Sequence, residues 1–274
     1  ALKVFSPTLA ADDTFRRSFE TSSKLAAGLR HHNLIGILDS GVVGGMPYLV
    51  MEFVPGKSLA RSTRGQVVEF GQSLSIIGAI CDGLARAHEA GLVHGHLDTF
   101  SILLNQQAVP KIGNFGLGRI VHTDPDAQVP RHFVAPEVLV DPSAATNASD
   151  VFSAAAIFHE LITGQPYSPG SPPASTLCGC RPAIDAILKR ATDPDPAKRH
   201  GDPAAFHAAL VKAAEPPRQT AAPSTPAPQH PLPKSGFDTK LLAKLAIIVV
   251  LLFAILFTWE TLKKDRADRE KQNR

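Results

Sequence analysis

The chain has 274 residues, 44% of them hydrophobic and 19% charged, an ordinary globular composition that can bury one large core or two lobes, with something appended. Its formal net charge is only +3 and no Lys/Arg stripe alternates with aromatics, so nucleic acid is not indicated as a partner. Cys81, Cys178 and Cys180 are odd in number and lack zinc-ligand spacing, so they read as free thiols in a reducing compartment.

In chain order, Ala1 to Phe5 ("ALKVF") looks like the middle of a strand, with something preceding it. Asp12 or Asp13 can cap a helix running to about Gly28, with Phe15, Phe19, Ala26 and Leu29 on one face. "YLVMEFV", Tyr48 to Val54, reads as a second strand, and Ser73 to Gly91 as a helix with Ile76, Ile80, Leu84 and Ala87 at helical spacing. The stretch from His94 to Asn105, "HGHLDTFSILLN", is rich in histidine and polar groups. Asp150 to Gly164 is apolar almost all round and predicts a buried helix. Strands first and helices later suggest two lobes.

Beyond residue 213 the composition changes. Glu215 to Lys234 holds seven prolines in twenty residues and predicts an extended tether. Leu241 to Trp259 has one charge, Lys244 near its start, and at about 1.5 Å per residue spans nearly the ~30 Å of a bilayer's hydrocarbon core. Glu260 to Arg274 is charged with mixed signs. Its six Lys and Arg place the tail inside by the charge rule, whereas a large domain with free thiols argues for a cytosolic domain; the cytoplasmic domain is the orientation favoured. The organisation expected is a domain over 1–213, a proline-rich linker over 214–238, a single transmembrane helix over 239–259 and a charged tail over 260–274.

Residues 1 to about 213 resemble a bacterial-type Ser/Thr protein kinase, on landmarks that are individually weak but stand in the right order. Ala1-Leu2-Lys3 looks like the V-A-I-K strand, and "LVMEFVPGKSL" resembles the hinge, with Met51 as gatekeeper. Asn114-Phe115-Gly116 stands at D-F-G and Ala135-Pro136-Glu137 at A-P-E. "SDVFS" around Asp150 matches the buried helix under the catalytic loop, and "DPDPAKR" ends in Arg199. The resemblance implies an α+β, two-lobed fold with a small, mainly β N-lobe and a mainly α C-lobe. The N-terminal strands and glycine-rich loop are missing from the sequence in view. It further implies nucleotide contacts at Lys3 and at the backbone of Glu52 and Val54, and structural roles for Glu137, Asp150 and Arg199.

The positions that carry phosphoryl transfer in the family are altered here. Ser22 stands where the helix glutamate should hold Lys3, while Glu20, two residues off, points roughly 160° away. H-R-D becomes His94-Gly95-His96, the family's lysine becomes Asp98, and the metal-binding asparagine becomes Ser101. At D-F-G the carboxylate becomes the neutral Asn114. Mg²⁺ favours charged oxygen ligands, and neither metal position keeps its usual side chain. Four losses, at Ser22, His96, Ser101 and Asn114, leave no intact catalytic set and no metal site. Pro130 stands at the threonine before A-P-E, and only Thr123 offers a hydroxyl between Gly116 and Glu137. The stretch between Gly164 and Arg181 is shorter than the family's, which leaves no substrate-docking helix expected there. His88, His159 and His207 read as helix residues without a special role.

The reading that follows is a membrane-tethered pseudokinase acting as a signalling scaffold or adaptor for protein partners. An atypical active kinase with His96 as base and an ATP-binding sensor are the alternatives. No cofactor is fixed by these residues, and ATP without Mg²⁺ stays open.

Overall fold

The first strand, β1 (Leu2–Val4), pairs antiparallel with β3 (Met46–Met51), which pairs in turn with β2 (Ile37–Val43), giving the order β1-β3-β2. Lys3 lies opposite Leu49 in this register. The structure, a computed structural model, describes residues 1–115 and 130–215, all within one compact unit, Ala1–Pro217. The proline-rich linker, the apolar stretch Leu241 to Trp259, the charged tail and Thr123 lie outside the described residues. Among the described residues, no helix is long and apolar enough to cross a membrane.

Two helices, α1 (Pro7–Ala10) and α2 (Asp13–Ala27), cover this sheet. Of the two candidate caps for α2, Asp12 takes the role: its Oδ1 accepts the Phe15 N–H at 3.1 Å. Phe15, Phe19, Ala26 and Leu29 are all buried, as their helical spacing predicts. Phe5 meets Phe15 and Phe19 edge-on with centroids 5.4 and 5.3 Å away. This aromatic clamp fixes α2 to β1 and so fixes where Lys3 points. The strand expected over Tyr48 to Val54 ends at Met51. There the chain turns, because the Glu52 carboxylate accepts the Gly36 N–H at 3.2 Å and pairs with Lys111 at 3.0 Å.

The second part begins with β4 (Gly56–Ser58) and α3 (Leu59–Thr63), followed by α4 (Phe70–Glu89), β5 (Ile102–Asn105) and β6 (Pro110–Ile112), whose strands form a sheet in the order β4-β5-β6. Helix α4 starts three residues before Ser73, because the Glu69 carboxylate accepts the Gly71 and Gln72 N–H groups, each at 2.8 Å. Then come α5 (Pro136–Val140), α6 (Asn147–Thr163), α7 (Ala174–Cys178), α8 (Pro182–Ala191) and α9 (Pro203–Ala214). The short α7 occupies the segment in which no docking helix is expected from the sequence. Helix α6 is buried almost all round, starts in a Thr146/Ser149 capping box and stops at Gly164 in the left-handed conformation. Ile77, Ile80 and Leu84 of α4, Ile157, Phe158 and Ile162 of α6, and Phe206 and Leu210 of α9 belong to one buried core where the three helices pack together. His207 of α9 fits only because Gly78 of α4 has no side chain; a Cβ there would lie 2.6 Å from the imidazole Nε2.

Candidate active site

Asp150, near the start of α6, is fully buried beneath the loop from His94 to Ser101. Its Oδ2 accepts the His94 N–H at 2.9 Å and its Oδ1 the Gly95 N–H at 2.8 Å. Gly95 sits at φ +75°, a left-handed position at which glycine meets no steric cost. His88 of α4 adds a third contact, with Nε2 2.7 Å from Oδ2. The His94 ring donates through Nε2 to the Gly113 carbonyl at 3.0 Å, accepts the His96 N–H on Nδ1 at 3.4 Å, and meets Phe115 edge-on at 4.9 Å. Burial pushes the His94 pKa below the ordinary imidazole value, against the opposing field of Asp150, consistent with a neutral ring carrying its proton on Nε2.

A second anchor lies further from the cleft. Arg199 forks onto Glu137, with both N–O distances 2.7 Å, and its guanidinium lies 5.1 Å from the centre of the Phe152 ring. Ser149 donates to the same carboxylate at 2.8 Å. Burial pushes Glu137 upward, but the hydrogen bonds from Arg199 and Ser149 hold it below the usual glutamate value.

On the cleft side, Lys3 Nζ donates to Asn114 Oδ1 at 3.1 Å and lies 5.4 Å from the Phe5 ring centre. Among the described residues Lys3 forms no ion pair, and Ser22 is half-buried on α2 without a hydrogen bond to it. Burial lowers the Lys3 pKa, and the field of Asp98 partly opposes that. Asn114 itself is left-handed at φ +63°, a conformation asparagine tolerates better than most side chains. Its amide nitrogen reaches Ser101 Oγ at 3.5 Å, the outer limit of a hydrogen bond. Asp98 Oδ1 accepts the Phe100 N–H at 2.9 Å and the Ser101 N–H at 2.6 Å, so this carboxylate braces its own loop. His96 is buried in the same loop.

The structure thus joins Lys3, Asn114 and Ser101 side chain to side chain, and links Ser101 to Asp98 through its backbone. Ser22 stays outside this chain of contacts. Glu52 and Val54 lie at the hinge, where the Glu52 N–H is bonded to the Gly36 carbonyl at 2.8 Å and Val54 is buried. Met51 borders a cavity of about 20 Å³ shared with Asn114, Phe115 and Ala26, room for roughly one water. Sequence reasoning missed His88 and the bracing by Asp98. The available signal for His88 was an imidazole on the buried stripe of α4, in line with Ile77, Cys81 and Leu84.

Residues 1–222 match the protein kinase domain family. The serine/threonine-protein kinase PknL of Mycobacterium tuberculosis (strain ATCC 25618 / H37Rv) is 30% identical over 240 residues, covering 78% of this chain and 59% of that protein. PknB of Mycobacterium leprae (strain TN) is 25% identical over 238 residues, 77% of this chain and 38% of that protein. The chain therefore spans less than two thirds of the length of these relatives. Among solved structures, the PknI kinase domain of Mycobacterium tuberculosis is similar with a TM-score of 0.66 at 27% identity, covering 78% of this chain and 85% of that one. The two-lobed architecture, the order of its elements and the extent of the family match agree, and the chain belongs to the protein kinase family.

Proposed function

We propose that this protein is a membrane-tethered pseudokinase: a kinase-like domain that works by binding a protein partner, as a signalling scaffold or adaptor, without transferring phosphate. The observation that carries the reading is the Lys3 ammonium resting on Asn114 Oδ1 at 3.1 Å. In the family that oxygen belongs to a carboxylate turned toward Mg²⁺. Here it is a neutral amide oxygen facing a cation, its nitrogen is directed at a hydroxyl, and the nearby Asp98 carboxylate braces two N–H groups through its Oδ1. A hard divalent cation favours charged oxygens free to turn toward it, so this donor set does not fit Mg²⁺. The tether to a membrane rests on the sequence of Leu241 to Trp259, and the cytoplasmic placement on the free thiols.

Incubation of the purified chain with radiolabelled ATP and a general protein substrate tests the reading. No incorporation above that of a Lys3→Ala variant is the expected result. Transfer that disappears in both Lys3→Ala and His96→Ala would select an active enzyme with His96 as base. A metal-free ATP sensor is a second reading, favoured by the retention of Lys3 at the head of the cleft network. Equal stabilisation by ATP with and without Mg²⁺ selects that sensor.

A further inference from the structure

We infer that a groove beside the catalytic loop, walled by Lys57, Ala60, Arg61, Arg64 and Phe100, receives an acidic polypeptide segment of the partner. The inference deepens the binding-module reading and rests on it. The groove has a volume of about 400 Å³. It is attached to the catalytic loop: the Ala60 N–H donates to the Thr99 carbonyl at 3.0 Å, and β4 pairs with β5, setting Lys57 opposite Leu104.

Three basic residues, Lys57, Arg61 and Arg64, are among the five that wall this groove, and among the described residues none of their side chains makes a hydrogen bond or ion pair. Arg64 occupies the left-handed stop position of α3 at φ +51°, a place that suits glycine, and still contributes its side chain to the groove wall. Phe100 is 55% exposed, although both its neighbours in sequence are buried. Its N–H and that of Ser101 are held by Asp98, so the backbone that carries the ring is fixed.

An exposed aromatic beside cations that have no partner among the described residues marks a binding surface for anionic groups attached to an apolar body. The concave shape suits an extended chain better than a flat bilayer. A single ring with three cations also falls short of the basic, aromatic-interleaved stripe that nucleic acid requires. An acidic segment with one apolar side chain satisfies the charges and covers the ring, and its attraction weakens with salt.

The test is fluorescence anisotropy of a short fluorescein-labelled peptide, Glu and Asp around one Leu, titrated with the full chain in detergent. Saturable binding is expected, weakened about tenfold or more by the triple variant Lys57→Glu, Arg61→Glu, Arg64→Glu and severalfold by Phe100→Ala. Lys212→Glu, on the exposed face of α9, should leave binding unchanged, and circular dichroism checks that each variant is folded. No saturable binding, or equal binding by the triple variant, overturns the inference. So does binding of phosphatidylserine vesicles through the same three cations when the peptide does not bind. The peptide carries no hydroxyl to phosphorylate, so absent binding overturns the groove alone, whereas phosphate transfer in the ATP assay overturns the inactive-module reading alone.

Discussion

Behind the catalytic loop, Asp150 gathers three contacts of 2.7 to 2.9 Å and Arg199 forks onto Glu137 at 2.7 Å. In front of it, Lys3, Asn114 and Ser101 are joined by longer contacts of 3.1 and 3.5 Å, and none of the three brings a carboxylate. The two sides share one loop, whose path is held from the rear by Asp150 and from within by Asp98, not by Lys3, Asn114 or the Ser101 hydroxyl. Architecture and chemistry are therefore separable here. A loop shaped by buried ionic and backbone hydrogen bonds keeps its form whatever stands on its outer face.

The largest effect should come from the rear. Asp150→Ala leaves two loop N–H groups and the His88 ring without their acceptor and should destabilise the domain by about 3–5 kcal/mol, read from urea unfolding followed by far-UV circular dichroism. A loss under about 1 kcal/mol would mean that the loop is shaped by something else. Next is the Glu137–Arg199 pair. Glu137→Gln should cost about 2 kcal/mol at neutral pH, because the charge that Arg199 faces is removed and one of the two acceptor oxygens becomes an N–H donor. The sign with pH follows from the depressed folded-state pKa of Glu137. Its stabilisation is present above the ordinary glutamate value of 4.5 and is lost as pH falls through the lower folded value. Unfolding midpoints across that range should therefore drop more steeply in the wild type than in Glu137→Gln. The smallest effect belongs to the cleft. Lys3 is desolvated by burial and has no carboxylate partner among the described residues, so Lys3→Met should leave stability within about 1 kcal/mol of wild type. A large loss in Lys3→Met would erase the contrast between the two sides.

The sequence carried the fold where periodicity and burial coincide. The Phe15, Phe19, Ala26 and Leu29 face of α2 and the all-round burial of α6 were legible because local spacing determines them. Element ends were less legible. Helix α4 begins at a Glu69 cap rather than at the first periodic residue, and the strand expected to reach Val54 stops where Glu52 turns to Lys111, a partner 59 residues away. In the site, residue identities could be aligned from the family pattern, but their partners could not. The Lys3–Asn114 contact joins residues 111 apart, and His88 meets Asp150 across 62. The role of Asp98, two hydrogen bonds to its own loop, is visible only with the backbone folded. The exposure of Phe100 follows from the same bracing, so the groove had no signature in the sequence.

The proposed loss of metal chemistry in the cleft is tested most directly by the thermal stability of the full chain with ATP, measured with and without Mg²⁺. The account predicts no stabilisation that depends on Mg²⁺, since Asn114 Oδ1 faces Lys3 and Asp98 Oδ1 accepts two loop N–H groups. A rise in unfolding temperature that requires Mg²⁺ and disappears in Asn114→Ala would contradict it.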